Sequence, residues 1–187
     1  GFHASHPSIK IALDVGNSDE IEKSLLVYKN DLGLIGVTKT SSKLKTIPFL
    51  REPLVLIVSP NHPLARKTVV SFRELEKYPF IIRAKGSRTR RIILQAFKDL
   101  DIRPSLLMEA GSSEFIKQWV LEGKGVSVIV KRIVEDEEKR EIIKTVSLSE
   151  KLYLDVVLLY LREEKSNPAI KTFVQFIENK GKELIKS

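Results

Sequence analysis

Six residues near the middle of the chain, Gly86-Ser87-Arg88-Thr89-Arg90-Arg91, combine the groups that hold an anion. They follow an apolar run at residues 79–82 and lead into a helical pattern that starts at Ile92. The first N–H groups of a helix lack intrahelical partners, and the helix dipole places partial positive charge on them. A Gly-Ser turn in this position is suited to binding an anion. The alternative is a capped helix with a solvated basic first turn.

Other hydroxyl, amide and cationic side chains also follow predicted strands. Ligands of open α/β sheets bind outside the carboxyl ends of the strands, so two lobes that face each other would bring these side chains into one cleft. Arg90 and Arg91 are expected to be solvated rather than to contact a ligand. The candidate ligand contacts are Asn17, Ser18, Thr38, Gly86, Ser87, Arg88, Thr89, Ser112, Ser113 and Lys131.

Hydrophobic periodicity predicts an alternation of strands and helices along the chain. Strand patterns occupy residues 9–15, 32–37, 44–49, 54–58, 80–82, 105–109, 126–130, 142–146 and 152–161. Helical patterns occupy residues 21–27, 71–75, 87–100, 115–122 and 169–180, and Asn17 with Glu20 has the spacing of a capping box. Two strand-helix-strand halves favour parallel sheets and two similar α/β lobes.

Composition excludes several classes of function. The net charge of +8 is spread over a surface with 30% charged residues, so direct DNA binding by this chain is not indicated. The acidic residues 135–138 are expected to form a solvated loop. Without cysteine there are no disulfides or thiolate sites. The three histidines show no metal-ligand spacing, and no apolar run reaches the ~20 residues of a membrane span.

No catalytic set is evident either. A nucleophile with its base and orienting group is missing from the sequence patterns, as is a phosphate-binding loop of the P-loop kind. The sequence therefore predicts a binding module with no metal and no cofactor, not an enzyme.

Five short sequence segments, in their order along the chain, resemble the motifs of a known family. Phe2 with His6-Pro7-Ser8-Ile9 comes first, then Asp31-Leu32-Gly33-Leu34-Ile35, and then residues 52–64, EPLVLIVSPNHPL. Residues 70–75 with 78–81 form the fourth, and residues 113–126, with Ser113-Glu114, Ile116-Lys117, Val120, Gly123 and Gly125-Val126, form the fifth. Together they resemble the effector-binding domain of LysR-type transcriptional regulators, which shares the type 2 periplasmic-binding-protein fold. The resemblance covers essentially the whole chain.

The resemblance implies an α/β protein with two Rossmann-like lobes joined by two crossover strands. Lobe I would comprise residues 1–79 and 158–187, and lobe II residues 80–157. A small, anionic effector would bind between the lobes and change the geometry of a homodimer or homotetramer. DNA would be bound only through the family's helix-turn-helix domain, which is absent from this chain.

The resemblance also suggests subunit contacts. Trp119 lies on a helix face with Phe115 and Val120, a pattern most often found in a core, but similar helices of the family pack in a dimer contact. Leu25 and Tyr28 on the first helix would be its counterpart.

Two departures from the family pattern bear on the effector. Lys131 stands where members often have Pro, and Asp19 and Glu20 replace uncharged residues of some anion-sensing members, although both acids suit a helix start. The alternative function is a solute-binding receptor of a transport system with the same fold. That function would need a secretory leader, and the first six residues lack the features of one, so a cytoplasmic protein is expected.

Overall fold

The chain forms seven α-helices and eight strands within residues 1–37 and 39–184, the part that the computed structural model describes. The helices are α1 Phe2–Ser5, α2 Ser18–Leu26, α3 Phe72–Leu75, α4 Arg88–Asp99, α5 Ser113–Leu121, α6 Glu135–Lys139 and α7 Pro168–Leu184. The strands are β1 Gly33–Val37, β2 Leu44–Val58, β3 Val69–Val70, β4 Phe80–Arg83, β5 Leu106–Ala110, β6 Ser127–Val130, β7 Lys144–Leu148 and β8 Tyr153–Leu161. Short 3-10 helices span Pro63–Arg66, Lys131–Val134 and Arg162–Ser166.

The chain divides into two compact units. Unit 1 comprises Gly1–Leu50 and Asp155–Ser187, and unit 2 comprises Arg51–Leu154. The first division differs from the predicted lobe boundary at residue 79. Residues 51–79 belong to unit 2 because the end of β2 pairs there with β6 and β7 in antiparallel ladders. The second division lies three residues before the predicted one.

Unit 2 is built around strands buried on both faces. Leu54, Leu56 and Val58 of β2 pack in one apolar cluster, while Val55 and Ile57 pack in another. This alternation follows the two-residue period of a strand. Burial of each such side chain contributes about 1.5–3 kcal/mol. Strand β4 is held in the same way, with Phe80 and Ile82 in the first cluster and Ile81 in the second.

Helix α4 follows β4 and returns the chain to β5, which lies parallel to β4. It buries Ile93, Ala96 and Phe97, which recur at helical spacing, and the Phe97 ring contacts Phe72 and Phe80 edge-on at 4.7 and 5.3 Å between centroids. The predicted parallel strand-helix-strand arrangement is confirmed for this half of the chain.

Unit 1 places its core between α2, β1 and β8. Leu25 of α2 and Ile35 of β1 pack with Leu159 of β8, and β1 pairs antiparallel with β8. On α7, Phe173 and Phe176 hold the Phe2 ring of α1 at centroid distances of 4.8 and 5.3 Å.

The prediction of a strand at residues 9–15 was wrong for this structure. Residues 10–16 form no helix or strand, and Ile11, Leu13 and Val15 are 55, 85 and 92% exposed. The period-2 pattern is present, but a strand also requires a neighbouring backbone to complete its ladder. The predicted parallel sheet of the first half is therefore not formed.

Two smaller predictions also need correction. Residues 44–49 and 54–58 are one strand, β2, because the chain stays extended through Pro53 although that residue has no N–H to donate. The acidic residues 135–138 lie in α6, where Glu137 and Glu138 bind Lys117 and Thr145, so they are not a solvated loop.

Candidate anion site at the carboxyl edge of unit 2

Three parallel strands end at the same edge of unit 2. In β4, Arg83 lies opposite Ala110 of β5, and on the other side Phe80 forms a parallel bridge with Val126, just before β6. The carboxyl ends of these strands lead into residues 84–89, 111–113 and 131, which we call the carboxyl edge. Three segments predicted to contact an effector therefore leave the sheet side by side.

The first turn of the carboxyl edge has the predicted helix-start geometry. Gly86 has a φ of 89°, in the left-handed region that glycine adopts without strain. Ser87 is the N-cap of α4, and its hydroxyl accepts a hydrogen bond from the N–H of Arg90 at 3.4 Å. Ser87 and Arg88 are buried, and Thr89 is half-buried. The predicted cap is confirmed.

The second turn repeats this arrangement on the neighbouring strand. Ser112 is the N-cap of α5 and accepts a hydrogen bond from the N–H of Phe115 at 3.4 Å. The N–H of Ala84 donates to the carbonyl of Ala110 at 2.8 Å, which ties the first turn to the end of β5. Two helix N-termini with their positive dipole ends thus begin at adjacent strands.

Arg83 connects the two turns. Its Nη1 donates to the Ser113 hydroxyl at 2.5 Å, and the side chain is half-buried. Burial lowers the pKa of the Arg83 guanidinium, because the charged form loses hydration, yet arginine stays protonated at neutral pH. Among the described residues Arg83 has no ion-pair partner. It therefore adds a positive charge that no acid in this part of the chain neutralises.

Arg90 was expected to be solvated, and this prediction was wrong. Its Nη2 lies 2.5 Å from Glu109 Oε1, and its Nη1 donates to the carbonyl of Arg83 at 2.9 Å. The side chain is only 12% exposed. Arg90 braces the first turn against β5, and Glu109 neutralises its charge. Arg91 is exposed, as predicted.

The remaining candidate contact residues do not belong to the two turns that Arg83 connects. Lys131 is exposed and follows the last residue of β6. In unit 1, Asn17 is the N-cap of α2, and its Oδ1 accepts from the N–H groups of Asp19 and Glu20 at 3.0 and 3.1 Å. The Glu20 carboxylate accepts from the Asn17 N–H at 2.9 Å, so the predicted capping box is confirmed. Ser18 is half-buried in the first turn, and Thr38 lies outside the described residues.

Comparison with known protein families supports this fold. The profile of the family described as "LysR substrate binding domain" matches residues 1–182. The chain belongs to this family.

Its relatives define the family context further. An uncharacterised HTH-type transcriptional regulator of Escherichia coli K12, YeiE, is 28% identical over 178 residues, which are 95% of this chain and 60% of that protein. This LysR domain therefore spans less than two thirds of the length of that relative.

Solved structures confirm the type 2 periplasmic-binding-protein-like fold. The regulatory domain of Synechocystis PCC6803 CcmR in complex with 2-PG matches with a TM-score of 0.87 at 28% identity, over 94% of this chain and 85% of that one. The effector-binding domain of QuiR in complex with shikimate matches with a TM-score of 0.87 at 24% identity, over 97% and 87%. The fold class predicted from the sequence is thus confirmed.

Residues predicted at subunit contacts of the LysR domain differ in exposure. Leu25 is fully buried in the core of unit 1, so its side chain is not exposed for contact with another subunit. Tyr28 is exposed, and its hydroxyl donates to the Glu163 carboxylate; this hydrogen bond is the main cause that raises the pKa of Tyr28. Trp119 is half-buried on α5 beside Phe115, with Lys124 Nζ 4.5 Å from its ring centroid.

Sequence reasoning missed Arg83 as a candidate site residue, and it missed the buried cation Lys117 on α5. Arg83 ends an apolar strand directly before the turn, which is a usable signal, since such a residue lies at a carboxyl edge. Glu114 lies three residues before Lys117, but the other partners of Lys117, Glu137 and the carbonyl of Ile133, are distant in sequence and gave no signal. Among the described residues, no cluster of three or more acids and histidines could hold a metal, and no helix is long and apolar enough to cross a membrane.

Proposed function

We propose that this LysR domain senses a small anion that binds at the carboxyl edge of unit 2. The observation that carries the proposal is the hydrogen bond of Arg83 with Ser113, which sets a half-buried cation between the N-termini of α4 and α5. N–H groups, helix dipoles and a guanidinium all favour negative charge at one place. The CcmR regulatory domain, solved with 2-PG, is a relative with a bound small ligand.

Each group at the carboxyl edge has a distinct role in this proposal. The turn around Gly86 lets backbone N–H groups approach the anion, and the hydroxyls of Ser87, Thr89 and Ser113 donate hydrogen bonds to it. Arg83 supplies the charge and releases Ser113 on binding, while Arg88 adds positive potential from inside the unit. Lys131 would attract anions to the edge from solution.

Unit 1 contributes a second group of proposed contacts. Asn17 and Ser18 stand at the N-terminus of α2, where a carboxylate or phosphate oxygen would be stabilised by the same dipole effect. Asp19 and Glu20 already place negative charge in that first turn. We therefore propose that Asn17 and Ser18 offer polar contacts to an uncharged group of an effector. Ser112 remains a proposed contact whose first role is to cap α5.

The full regulator would use this domain to control DNA binding. Effector binding can shift its conformation only if the effector prefers one conformation over another. We propose a cytoplasmic homodimer or homotetramer that contacts DNA through a helix-turn-helix domain and has no catalytic activity. The reported relatives are transcriptional regulators or their domains, so they lend no support to the alternative of a transport receptor.

Isothermal titration with a panel of anions tests the proposal. The panel contains 2-PG, sulfate, phosphate and small carboxylates, with an uncharged sugar as the negative ligand. For any anion that binds, Arg83→Gln is expected to weaken binding about 10- to 100-fold, the effect of one charge-assisted hydrogen bond. Ser113→Ala is expected to weaken it less, because Arg83 remains.

Arg91→Gln is the matched control, since it removes the same charge from an exposed position in the first turn of α4. A general electrostatic effect would weaken binding equally in Arg83→Gln and Arg91→Gln, and that result would contradict the proposed site. Failure of every anion to bind the folded protein would contradict the anion-sensing function itself.

A further inference from the structure

Arg90 contacts both ends of the first turn of the carboxyl edge. Its side chain donates from Nη1 to the carbonyl of Arg83, where β4 ends, at 2.9 Å. Its own N–H donates to the hydroxyl of Ser87, where α4 begins, at 3.4 Å. Residues 84–87 therefore form a loop that a single residue closes at both ends. Such a loop has fewer accessible conformations than one that is joined to its strand and helix by the chain alone.

The peptide group between Arg83 and Ala84 is held on both sides. Its carbonyl accepts the hydrogen bond from Arg90, and its N–H donates to the carbonyl of Ala110 at 2.8 Å. A trans peptide group is planar, so hydrogen bonds at its carbonyl and at its N–H together fix its orientation. This orientation sets the direction in which the chain enters the turn, and with it the direction of the N–H groups that follow.

Those N–H groups are the ones that the proposed anion would use. Within the described residues, the N–H groups of Lys85 and Gly86 donate to no backbone carbonyl. Donors that already point in the required direction lose less conformational entropy when a ligand binds. Contacts that fix the turn can therefore raise the affinity for an anion without touching it.

Glu109 fixes the guanidinium of Arg90 in its turn. Its Oε1 lies 2.5 Å from Arg90 Nη2, and the Arg90 and Glu109 side chains are 12 and 42% exposed. A guanidinium is a planar fork of donors, so one bond to a carboxylate and another to a carbonyl define its plane. Glu109 lies opposite Ile82 in the paired strands β4 and β5. The conformation of the turn is thus referred to the sheet through Arg90.

Arg83 and Arg90 differ in the charge that they bring to the carboxyl edge. The charges of Arg90 and Glu109 cancel within their ion pair. The partner of the Arg83 guanidinium is the uncharged hydroxyl of Ser113. Arg83 is therefore suited to attract an anion, whereas Arg90 is suited to shape the backbone that receives it.

We propose that Arg90 and Glu109 are positioning residues of the anion site, which hold the first turn in its binding conformation and do not contact the anion. This inference rests on the proposed function and adds two residues that set the affinity through the backbone. It differs in sign from a simple effect of charge. By charge alone, loss of Arg90 would weaken anion binding and loss of Glu109 would strengthen it. By positioning, either loss weakens it.

Isothermal titration with the panel of anions and amide hydrogen exchange test the inference. Arg90→Gln and Glu109→Met are both expected to weaken anion binding about 3- to 10-fold. Arg90→Lys should have a similar effect, because lysine keeps the charge but lacks the fork that reaches both acceptors. Without any anion, the amides of residues 84–89 are expected to exchange about 10-fold faster in each variant, because the turn opens more often.

Arg73→Gln is the matched control. Arg73 Nη2 donates to the carbonyl of Leu100, directly after α4, at 3.3 Å. The control variant thus removes the same charge and the same kind of hydrogen bond from the other end of the helix. Its affinity for the anion and its exchange at residues 84–89 are expected to match those of the natural protein. Glu109→Met changes an exposed residue, so it tests the inference even if Arg90→Gln does not fold.

Three results would overturn the inference. One is tighter anion binding by Glu109→Met together with weaker binding by Arg90→Gln, the pattern of a charge effect. Another is unchanged binding by Arg90→Lys, since charge alone would then suffice. The third is unchanged exchange of residues 84–89 in Arg90→Gln and Glu109→Met, whether or not an anion binds. The proposed function fails on a different result, the absence of anion binding by the natural protein, and amide exchange then still decides whether the pair fixes the turn.

Discussion

Lys117 and Glu137 form an ion pair in unit 2, with the buried Lys117 Nζ 2.6 Å from Oε1 of the half-buried Glu137. The same ammonium donates to the carbonyl of Ile133 at 3.1 Å and lies 2.9 Å from Glu114 Oε1. All three of its donor positions are thus used, as a buried charge requires. The pair fixes α6 and the 3-10 helix Lys131–Val134 against α5. It therefore positions the segment that begins with Lys131.

Lys117→Met is expected to lower the free energy of unfolding by about 2–3 kcal/mol, because it leaves the half-buried Glu137 carboxylate without its charged donor. Urea denaturation measures the loss. Lys139→Met is the control, since Lys139 lies 3.9 Å from Asp136 with both side chains exposed, and such pairs contribute about 0–1 kcal/mol. Equal losses in the two variants would show that the burial of Lys117 has no energetic consequence.

The same pair predicts how stability changes with pH. Burial raises the pKa of Glu137, but the hydrogen bond and charge of Lys117 outweigh this and lower it below its ordinary value of 4.5. A lowered carboxyl pKa stabilises the fold above the unfolded value, and this contribution is lost as the pH falls through 4.5 and below. Glu137→Gln should therefore be less stable than the natural protein at pH 7 and approach it near pH 3. Melting curves across this range test it.

At alkaline pH the contribution of Lys117 disappears in turn. Burial lowers the pKa of Lys117, but hydrogen bonds to Glu137 and Glu114 raise it overall above its ordinary value of 10.5. Its stabilising contribution is complete below that value and is lost as the pH rises above it. In the acid range, a stability difference between the natural protein and Glu137→Gln that is constant from pH 3 to pH 7 would contradict the role given to the Lys117–Glu137 ion pair.

Local sequence signals located the helix starts correctly. Ser87 and Asn17 were each predicted as caps, and each accepts the expected backbone hydrogen bonds. Capping depends on residues within one turn, so a single sequence contains the needed information. The parallel pairing of β4 and β5 was also predictable, because a crossover helix between two apolar runs leaves few alternatives.

Contacts between distant residues could not be predicted in the same way. Arg83 meets Ser113, and Arg90 meets Glu109, only because β4 and β5 are paired in one particular register. A one-residue shift in that register would turn these side chains to opposite faces. The failed strand at residues 9–15 has the same origin, since its pattern is local but its pairing is not.

Gly125 lies so close to the backbone of Pro79 that no larger residue is expected to fit there without a shift. A Cβ there would lie 2.7 Å from the carbonyl oxygen of Pro79, whereas a Cβ at Gly111 would meet nothing within 4 Å. Gly125→Ala is expected to cost about 1–3 kcal/mol, because backbone must move, and Gly111→Ala should be close to neutral. Thermal unfolding of both variants tests this contrast. Equal melting temperatures would mean that Pro79 shifts without cost.

Trp119 supplies the test of the proposed subunit contact. Its half-buried ring and the exposed Phe115 beside it form an aromatic surface on α5, and large aromatic residues dominate the energetics of interfaces. Trp119→Ser is expected to weaken self-association at least 10-fold in sedimentation experiments, and Tyr28→Ala should act in the same direction. Ile142→Ser is the control, because Ile142 is 42% exposed, as is Phe115, but lies outside α5. If Ile142→Ser dissociates the protein while folded Trp119→Ser does not, the subunit contact lies elsewhere.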